Sequence, residues 1–288
     1  MVQVSSPLTG TTDADPVSNQ IRSLTEAEVA FFREHGWLHV PGLAAPSFIA
    51  RLAAKVAVLR GAASAPAMAP ETVASYTRSG RVAGSDPDFA AAVRSPVMAE
   101  NAARLLPGHP ALRLRLDSLI VRDPVTSPAD PPMFHQDLAW MPMDRSRMLT
   151  VWLALAEVRA ADGGLWFVDR SHVYGNLGRT WVRPNDDLRN QHAWLAELGL
   201  SPPLDFAPGD ATIHHSLTVH GVDENRGAAP RIALAWTYFD AATLYTGAPH
   251  EEIDRLNLEP GRPFEHAEFP LVDAEPALPR QNSERIST

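Results

Sequence analysis

Apolar positions recur along this chain with two different periods, and the change from one to the other organises it. Thr25 followed three residues later by Glu28 forms a capping box, with Leu24 and Val29 placed to close a hydrophobic staple across it. A helix is therefore predicted from about Thr25 to His35, stopped by Gly36. Trp37-Leu38-His39-Val40 then reads as a short strand ended by Pro41-Gly42. A second helix starts near Pro46, where Phe48, Ile49, Leu52, Val56 and Leu59 recur at helical spacing and leave Lys55 on the wet side. From about residue 111 the period becomes 2. Leu112, Leu114, Leu116, Ser118 and Ile120 are expected on one strand face, with Arg113, Arg115, Asp117, Leu119 and Val121 on the other. Similar runs at Leu149–Val158, Gly164–Val168, Ala211–His220 and Arg231–Phe239 are bounded mostly by Gly, Pro, Asp or Asn. Helices first and strands after predict an α+β, mainly β protein: an antiparallel sandwich or barrel behind an N-terminal helical layer. No internal repeat, P-loop or Gly-x-Gly-x-x-Gly is present.

The aperiodic Ser/Thr/Asp/Pro-rich residues 1–20 read as a loose arm, and 21–288 as a single domain. Within that domain, residues 173–205, carrying Trp181 and Trp194, are too long for a tight connection and are expected to form a lid over a pocket. Residues 241–288, rich in Pro and acidic groups, are expected to be irregular.

Composition narrows the chemistry. Among 288 residues, 25 basic and 34 acidic side chains leave a formal net charge of −9, which argues against a nucleic-acid or membrane partner, since both require a basic face. The absence of cysteine removes disulfides, thiolate metal sites and a cysteine nucleophile. Lys55 is the single lysine, so any Schiff-base chemistry would rest on it alone. Residues 1–20 hold no Lys or Arg and no long apolar run, so neither a secretory signal nor a membrane span is expected, and the cytoplasm is the expected compartment.

Most of the eleven histidines, among them His35, His39, His109, His192, His250 and His266, lack a partner at ligand spacing. His135-Gln136-Asp137 is different. In an extended segment residues i and i+2 point to one side, so this nitrogen and this carboxylate can converge on one cation. The motif alone is weak. About 85 residues later, however, Pro208-Gly209-Asp210 opens a predicted strand that ends in His220, followed by Asn225 and Arg231. Two histidines and a carboxylate with three open positions make the facial triad of non-haem Fe(II) oxygenases. An arginine at the start of the next strand would grip a carboxylate bidentately, as a 2-oxo acid co-substrate requires.

These residues, taken together, resemble the phytanoyl-CoA dioxygenase-like (PhyH) family of Fe(II)/2-oxoglutarate oxygenases. The resemblance runs over about residues 24–240: Leu24-Thr25-Glu26, Phe31 to Trp37, Val40-Pro41-Gly42, His135-Gln136-Asp137-Leu138, Trp152-Leu153-Ala154-Leu155, Asp162-Gly163-Gly164-Leu165, Ser171-His172, and Gly209-Asp210 through His220-Gly221 and Asn225 to Arg231. It implies a double-stranded β-helix, or jelly-roll, with N-terminal helices. It implies that His135, Asp137 and His220 hold the iron, that Arg231 holds the distal carboxylate of 2-oxoglutarate, that Trp152 lies beside the co-substrate, and that Ser118 touches it from the preceding strand. The chain departs from the pattern at Val222, where members often carry Ser or Thr, at Asp169-Arg170 before Ser171-His172, and at Arg122, where many carry Lys. Arg122 is a candidate for an acidic substrate group, and Trp140 and Met141 are candidates for the substrate pocket. His214 and His215, on the approach to His220, are candidate partners of the ligands, with their facing left open.

The activity so implied consumes 2-oxoglutarate and O2, releases succinate and CO2, and hydroxylates an unactivated C–H bond of an apolar small molecule, as in a tailoring step of bacterial secondary metabolism. The same chemistry diverted to epimerisation, cyclisation or desaturation is the alternative. Halogenation is disfavoured, because related halogenases replace the carboxylate that Asp137 retains. Outside this class stand a cupin-like metalloenzyme that uses no 2-oxoglutarate and a non-catalytic binder of metal or ligand.

Overall fold

A computed structural model describes residues 20–61, 71–73, 76–125, 133–180 and 187–272. Helix α1 spans Glu26–His35. The Thr25 hydroxyl accepts from the Glu28 amide at 3.2 Å, and the Glu28 carboxylate accepts from the Thr25 amide at 2.7 Å, so the capping box forms in both directions. Gly36 ends the helix in the left-handed region, its amide donating to the Phe32 carbonyl. Strand β1 (Trp37–Val40) and helix α2 (Pro46–Gly61) follow as expected. Beyond them lie β2 (Glu71–Val73), β3 (Tyr76–Gly80), α3 (Pro87–Val93) and α4 (Pro96–Leu105). Asp86 and Ser95 cap α3 and α4, each with a proline at the first helical position.

Strands β4 (Leu112–Arg122), β5 (Met148–Ala154), β7 (Ala211–His215) and β9 (Arg231–Asp240) make the centre of an antiparallel sheet of order β1-β7-β5-β9-β4-β3-β2. A last strand, β10 (Leu271–Val272), pairs with the start of β4. A second, two-stranded sheet joins β6 (Leu165–Phe167) to β8 (His220–Val222). Two short helices, α5 (Leu188–Gln191) and α6 (Glu251–Asp254), complete the described elements with several 3-10 turns. One face of the large sheet packs on the helices. Leu149, Val151, Leu153, Ile213, Leu234, Trp236 and Tyr238 meet Phe32, Phe48, Leu52, Phe89 and Met98 in the main core. The other face, with the small sheet, encloses a second apolar cluster built on Trp37, Trp152, Phe167, Phe206 and Ala233. This two-sheet arrangement with an N-terminal helical layer is a jelly-roll core.

The structure departs from two of the strands expected from the sequence. The β4 ladder with β9 shifts register between Leu114 and Leu116, so the five apolar and polar positions from Leu112 to Ile120 do not share one face. Leu112 and Leu114 lie in the helix-side core together with Leu119 and Val121. The extra residue of the bulge reverses the alternation, sending Asp117 to the helix side, where it accepts from the Ala83 amide at 2.8 Å, and Ile120 to the inner face against Ala233. Likewise the run from Ala211 to His220 is not one strand. β7 stops at His215, the chain turns through Ser216–Val219, and β8 begins at His220 in the other sheet. That break carries His220 across the interior from His214.

Among the described parts of segment 173–205, Leu188 and Leu195 are buried beside Phe134, Val168 and Val219, while Trp194 stays 36% exposed. Trp181 lies outside the described residues. From 241 to 272 the chain is mostly irregular, and no helix among the described residues is long and apolar enough to cross a membrane.

Candidate metal centre

The site forms where the two sheets face one another. His135 and His220 are opposite residues of an isolated antiparallel bridge, each backbone amide donating to the other's carbonyl at 2.9 and 3.0 Å. This pairing sets their rings side by side, with centroids 4.2 Å apart. Asp137 opens a 3-10 turn two residues beyond His135 and brings its Oδ1 to 3.9 Å from His135 Nε2 and 3.8 Å from His220 Nε2. Ligand atoms of all three lie within 4.8 Å of one another. These separations are too long for hydrogen bonds and suit three donors around one cation.

The hydrogen bonds behind the donors decide which atoms are presented. His135 Nδ1 donates to the Met133 carbonyl at 3.2 Å, and His220 Nδ1 to the Thr218 carbonyl at 3.0 Å. A carbonyl only accepts, so each neutral ring carries its proton on Nδ1 and offers the Nε2 lone pair toward Asp137. Burial holds both rings below the ordinary histidine pKa and outweighs the pull of Asp137, which keeps them neutral as ligands must be. For Asp137, burial alone would raise the pKa, but His220, His214 and His135 together hold it well below the usual carboxylate range. Its second oxygen, Oδ2, accepts from the Thr150 hydroxyl at 2.7 Å and from His214 Nε2 at 3.2 Å. The carboxylate is therefore held from behind by β5 and β7, with one oxygen left toward the rings. A neutral-imidazole pair with a monodentate carboxylate fits a divalent first-row metal.

The remaining candidates line the inner faces nearby. Arg231, 5% exposed at the start of β9, donates to the Gly163 carbonyl at 2.7 Å and to that of Asp223. Burial, followed by the adjacent charge of Arg122, brings its pKa down to about 10, so it stays cationic near neutrality. Arg122 is the residue directly opposite it on β4. Trp152 lies between Thr212 and Ala235 on its neighbour strands, with Phe206 at 5.1 Å edge-on. Ser118, 2% exposed, pairs across from Ala235. Trp140 ends the turn that Asp137 opens, with the Arg179 guanidinium 5.4 Å from its ring. Met141 is buried with Leu138, Met148 and Phe264, its sulfur accepting from Arg115. Of the two histidines whose facing the sequence leaves open, His214 points inward to Asp137. His215 instead lies near His172, ring centroids 5.8 Å apart, and is held by burial at a pKa of about 3.

A model of the phytanoyl-CoA dioxygenase (PhyH) family matches residues 32–233, which contain all three donors and Arg231. The chain belongs to the phytanoyl-CoA dioxygenase family. Phytanoyl-CoA dioxygenase 1 of Oryza sativa subsp. japonica is 30% identical over 107 residues, 37% of this chain and 38% of the rice protein. Phytanoyl-CoA dioxygenase domain-containing protein 1 of Mus musculus is 28% identical over 115 residues, 38% of this chain and 39% of the mouse protein. The matched stretch thus spans little more than a third of each relative. Among solved structures, the α-ketoglutarate-dependent carbocyclase SnoK from nogalamycin biosynthesis superposes with a TM-score of 0.70 at 25% identity, covering 86% of this chain and 96% of SnoK. The epimerase SnoN from the same biosynthesis gives 0.71 at 22%, covering 88% and 97%. EctD from S. alaskensis with 2-oxoglutarate and 5-hydroxyectoine gives 0.66 at 18%, covering 91% and 92%.

Asp162-Gly163-Gly164, one of the stretches that carry the family likeness, has a physical role in this chain. Gly163 has φ 105° and ψ 125°, and a Cβ there would sit 2.0 Å from the Glu224 carbonyl. Its own carbonyl receives Arg231. Gly163→Ala is expected to destabilise the fold by about 3 kcal/mol or more, combining a glycine-only backbone with overpacking. Gly178 has φ 112° with open space at its Cβ position, so Gly178→Ala should cost only the backbone part, about 1–3 kcal/mol. Urea denaturation midpoints of the two variants check the difference.

Proposed function

We propose that His135, Asp137 and His220 hold Fe(II), and that the protein uses 2-oxoglutarate and O2 to oxidise an unactivated C–H bond of an apolar small molecule. The convergence of three ligand atoms, backed by Thr150, His214 and two backbone carbonyls, is the observation that carries this reading. Iron and co-substrate, when bound, supply the oxidation and release succinate and CO2. The chain's own residues bind, orient and keep the interior dry. Arg231 and Arg122, opposite each other on β9 and β4, concentrate positive charge at one end of the inner face, so together they suit the distal carboxylate of 2-oxoglutarate. Arg122 then takes part of the work that a Ser or Thr at the Val222 position does elsewhere in the family. Trp152 and Ser118 face Ala235 from either side, four residues along β9 from Arg231, and Trp37, Phe167 and Phe206 form the apolar wall that excludes water. Trp140, at the end of the turn that Asp137 opens, is placed to meet the substrate.

Hydroxylation is the base reading. Epimerisation or ring closure is a second one, favoured by the likeness to a carbocyclase and an epimerase over nearly their whole lengths. A panel of polycyclic and other apolar compounds, assayed for substrate-dependent succinate, tests the activity, and product mass sorts the outcomes. Gain of one oxygen means hydroxylation, no change means epimerisation, and loss of two hydrogens means cyclisation or desaturation. Succinate formation indifferent to every compound in the panel would count against the apolar substrate class.

A further inference from the structure

Gln136 stands between two of the proposed ligands, and its environment assigns it a task. The segment is extended there, with φ −120° and ψ 135° at Gln136. His135 and Asp137 therefore point to one side and Gln136 to the other, into the protein. Its side chain is completely buried. A buried primary amide needs its donors and its acceptor satisfied, and this one uses both. Nε2 donates to the Gly175 carbonyl at 2.9 Å and to the Leu217 carbonyl at 2.6 Å, while Oε1 accepts from the Leu177 amide at 2.8 Å. Two of the three bonds go to the turn at 175–177, and the third goes to the stretch leading into His220.

Neighbouring contacts run the same way. The Arg179 Nε donates to the Ala139 carbonyl at 3.1 Å and its guanidinium lies over the Trp140 ring. The Phe134 amide donates to the Asp187 carboxylate, and the Leu188 amide to the Phe134 carbonyl at 3.0 Å. His192 Nε2 donates to the Leu177 carbonyl at 3.0 Å. The 175–179 turn and α5 thus grip residues 134–140, the stretch that contains His135 and Asp137, and Gln136 is the member of this grip that is wholly buried and lies between the two.

We propose that Gln136 is a positioning residue that locks the 175–179 turn to the His135–Asp137 segment, so that the turn and the two ligands move as one unit. A substrate that presses on the turn thereby bears on the orientation of His135 and Asp137. This rests on the reading that those two residues hold the metal, and the test separates the two ideas.

Gln136→Met keeps the side chain's length and removes all three hydrogen bonds. Gly175→Ala acts from the other side: Gly175 has φ 77° and ψ −163°, a region essentially restricted to glycine, with open space where a Cβ would go, so the substitution shifts the accepting carbonyl without a clash. Hydrogen exchange on the full chain reads the lock directly. In Gln136→Met, protection of the Leu177 amide should fall about tenfold or more, while protection of the Val151 amide in the centre of the large sheet stays as in wild type. Anaerobic Co(II) titration reads the ligands. Both variants should bind about 10- to 100-fold more weakly than wild type, as loss of support behind a ligand typically costs, with an altered ligand-field spectrum. The double variant should lose less than the two single losses combined, because both break the same connection. Wild-type Co(II) affinity and spectrum in both variants, or unchanged Leu177 protection in Gln136→Met, would overturn the lock while leaving the metal centre intact. A wild-type chain that takes up no metal at all would overturn the site reading and the coupling with it.

Discussion

His220→Ala is expected to cost the protein its metal. Substitutions in residues that merely support a ligand lower metal affinity about 10- to 100-fold, so loss of one of three donors should exceed ~100-fold. The fold should survive, because the bridge that seats His220 is made by backbone atoms, its amide and carbonyl pairing with those of His135 at 3.0 and 2.9 Å. Asp137 would keep the Thr150 hydroxyl and His214 as partners of its Oδ2, so its charge would not be stranded. His109→Ala provides the comparison, since the His109 side chain is half-exposed and its ring pairs with Glu100. Anaerobic Fe(II) titration of the two variants should show near-complete loss in the first and wild-type binding in the second. Equal binding in both would remove His220 from the site.

The second large effect is expected at Arg231. Truncating one partner of a buried, hydrogen-bonded charge pair costs about 2–5 kcal/mol, so Arg231→Ala should weaken 2-oxoglutarate binding by roughly 30- to several thousand-fold. The guanidinium is cationic across the working range despite its burial, with a pKa of about 10, and two of its donors already fix its plane on the Gly163 and Asp223 carbonyls. A fork held in this way is pre-organised for a second bidentate partner. Arg231→Lys retains the charge and loses the fork, so it should recover only part of the affinity. In steady state the loss should fall on KM for 2-oxoglutarate, while the affinity for Fe(II) stays close to wild type. Loss of Fe(II) binding along with 2-oxoglutarate would mean that Arg231 serves the structure of the site and not the co-substrate.

Part of this fold is legible in the sequence because local chemistry decides it. Thr25, Glu28 and Gly36 fix both ends of α1 through bonds within a few residues. Asp86-Pro87 and Ser95-Pro96 carry equally local start signals for α3 and α4, which the apolar period alone does not bring out. The bulge in β4 is different in kind. No residue between Leu114 and Leu116 departs from the alternation, and the shift is imposed by pairing with β9 more than a hundred residues away. The crossing from β7 to β8 is hidden for the same reason, since Ser216–Val219 reads as a continuation of the strand until the second sheet claims His220.

The donor set shows the same division. The i, i+2 spacing of His135 and Asp137 is visible, whereas the groups that orient them are brought in by topology. Thr150 shares the inner face of β5 with Trp152 by simple alternation, a facing that the period-2 pattern of the sequence carries. His214 is two residues from the inner-facing Thr212 on β7, which places it inward once the strand is known to run unbulged to His215. For Gln136 the sequence says only that it must face away from the cation. The turn at 175–177 that receives it is about forty residues downstream and has no periodic pattern to announce it.

The central claim is that one site holds both the metal and 2-oxoglutarate. Its most direct test is anaerobic reconstitution of the wild-type protein with Fe(II), followed by 2-oxoglutarate, while recording the weak visible charge-transfer absorption that a 2-oxo acid chelated to ferrous iron gives. The band should appear in wild type, and Arg231→Ala should require a much higher 2-oxoglutarate concentration to reach the same intensity. Iron demonstrably bound in wild type, with no band at any 2-oxoglutarate concentration, would contradict the claim.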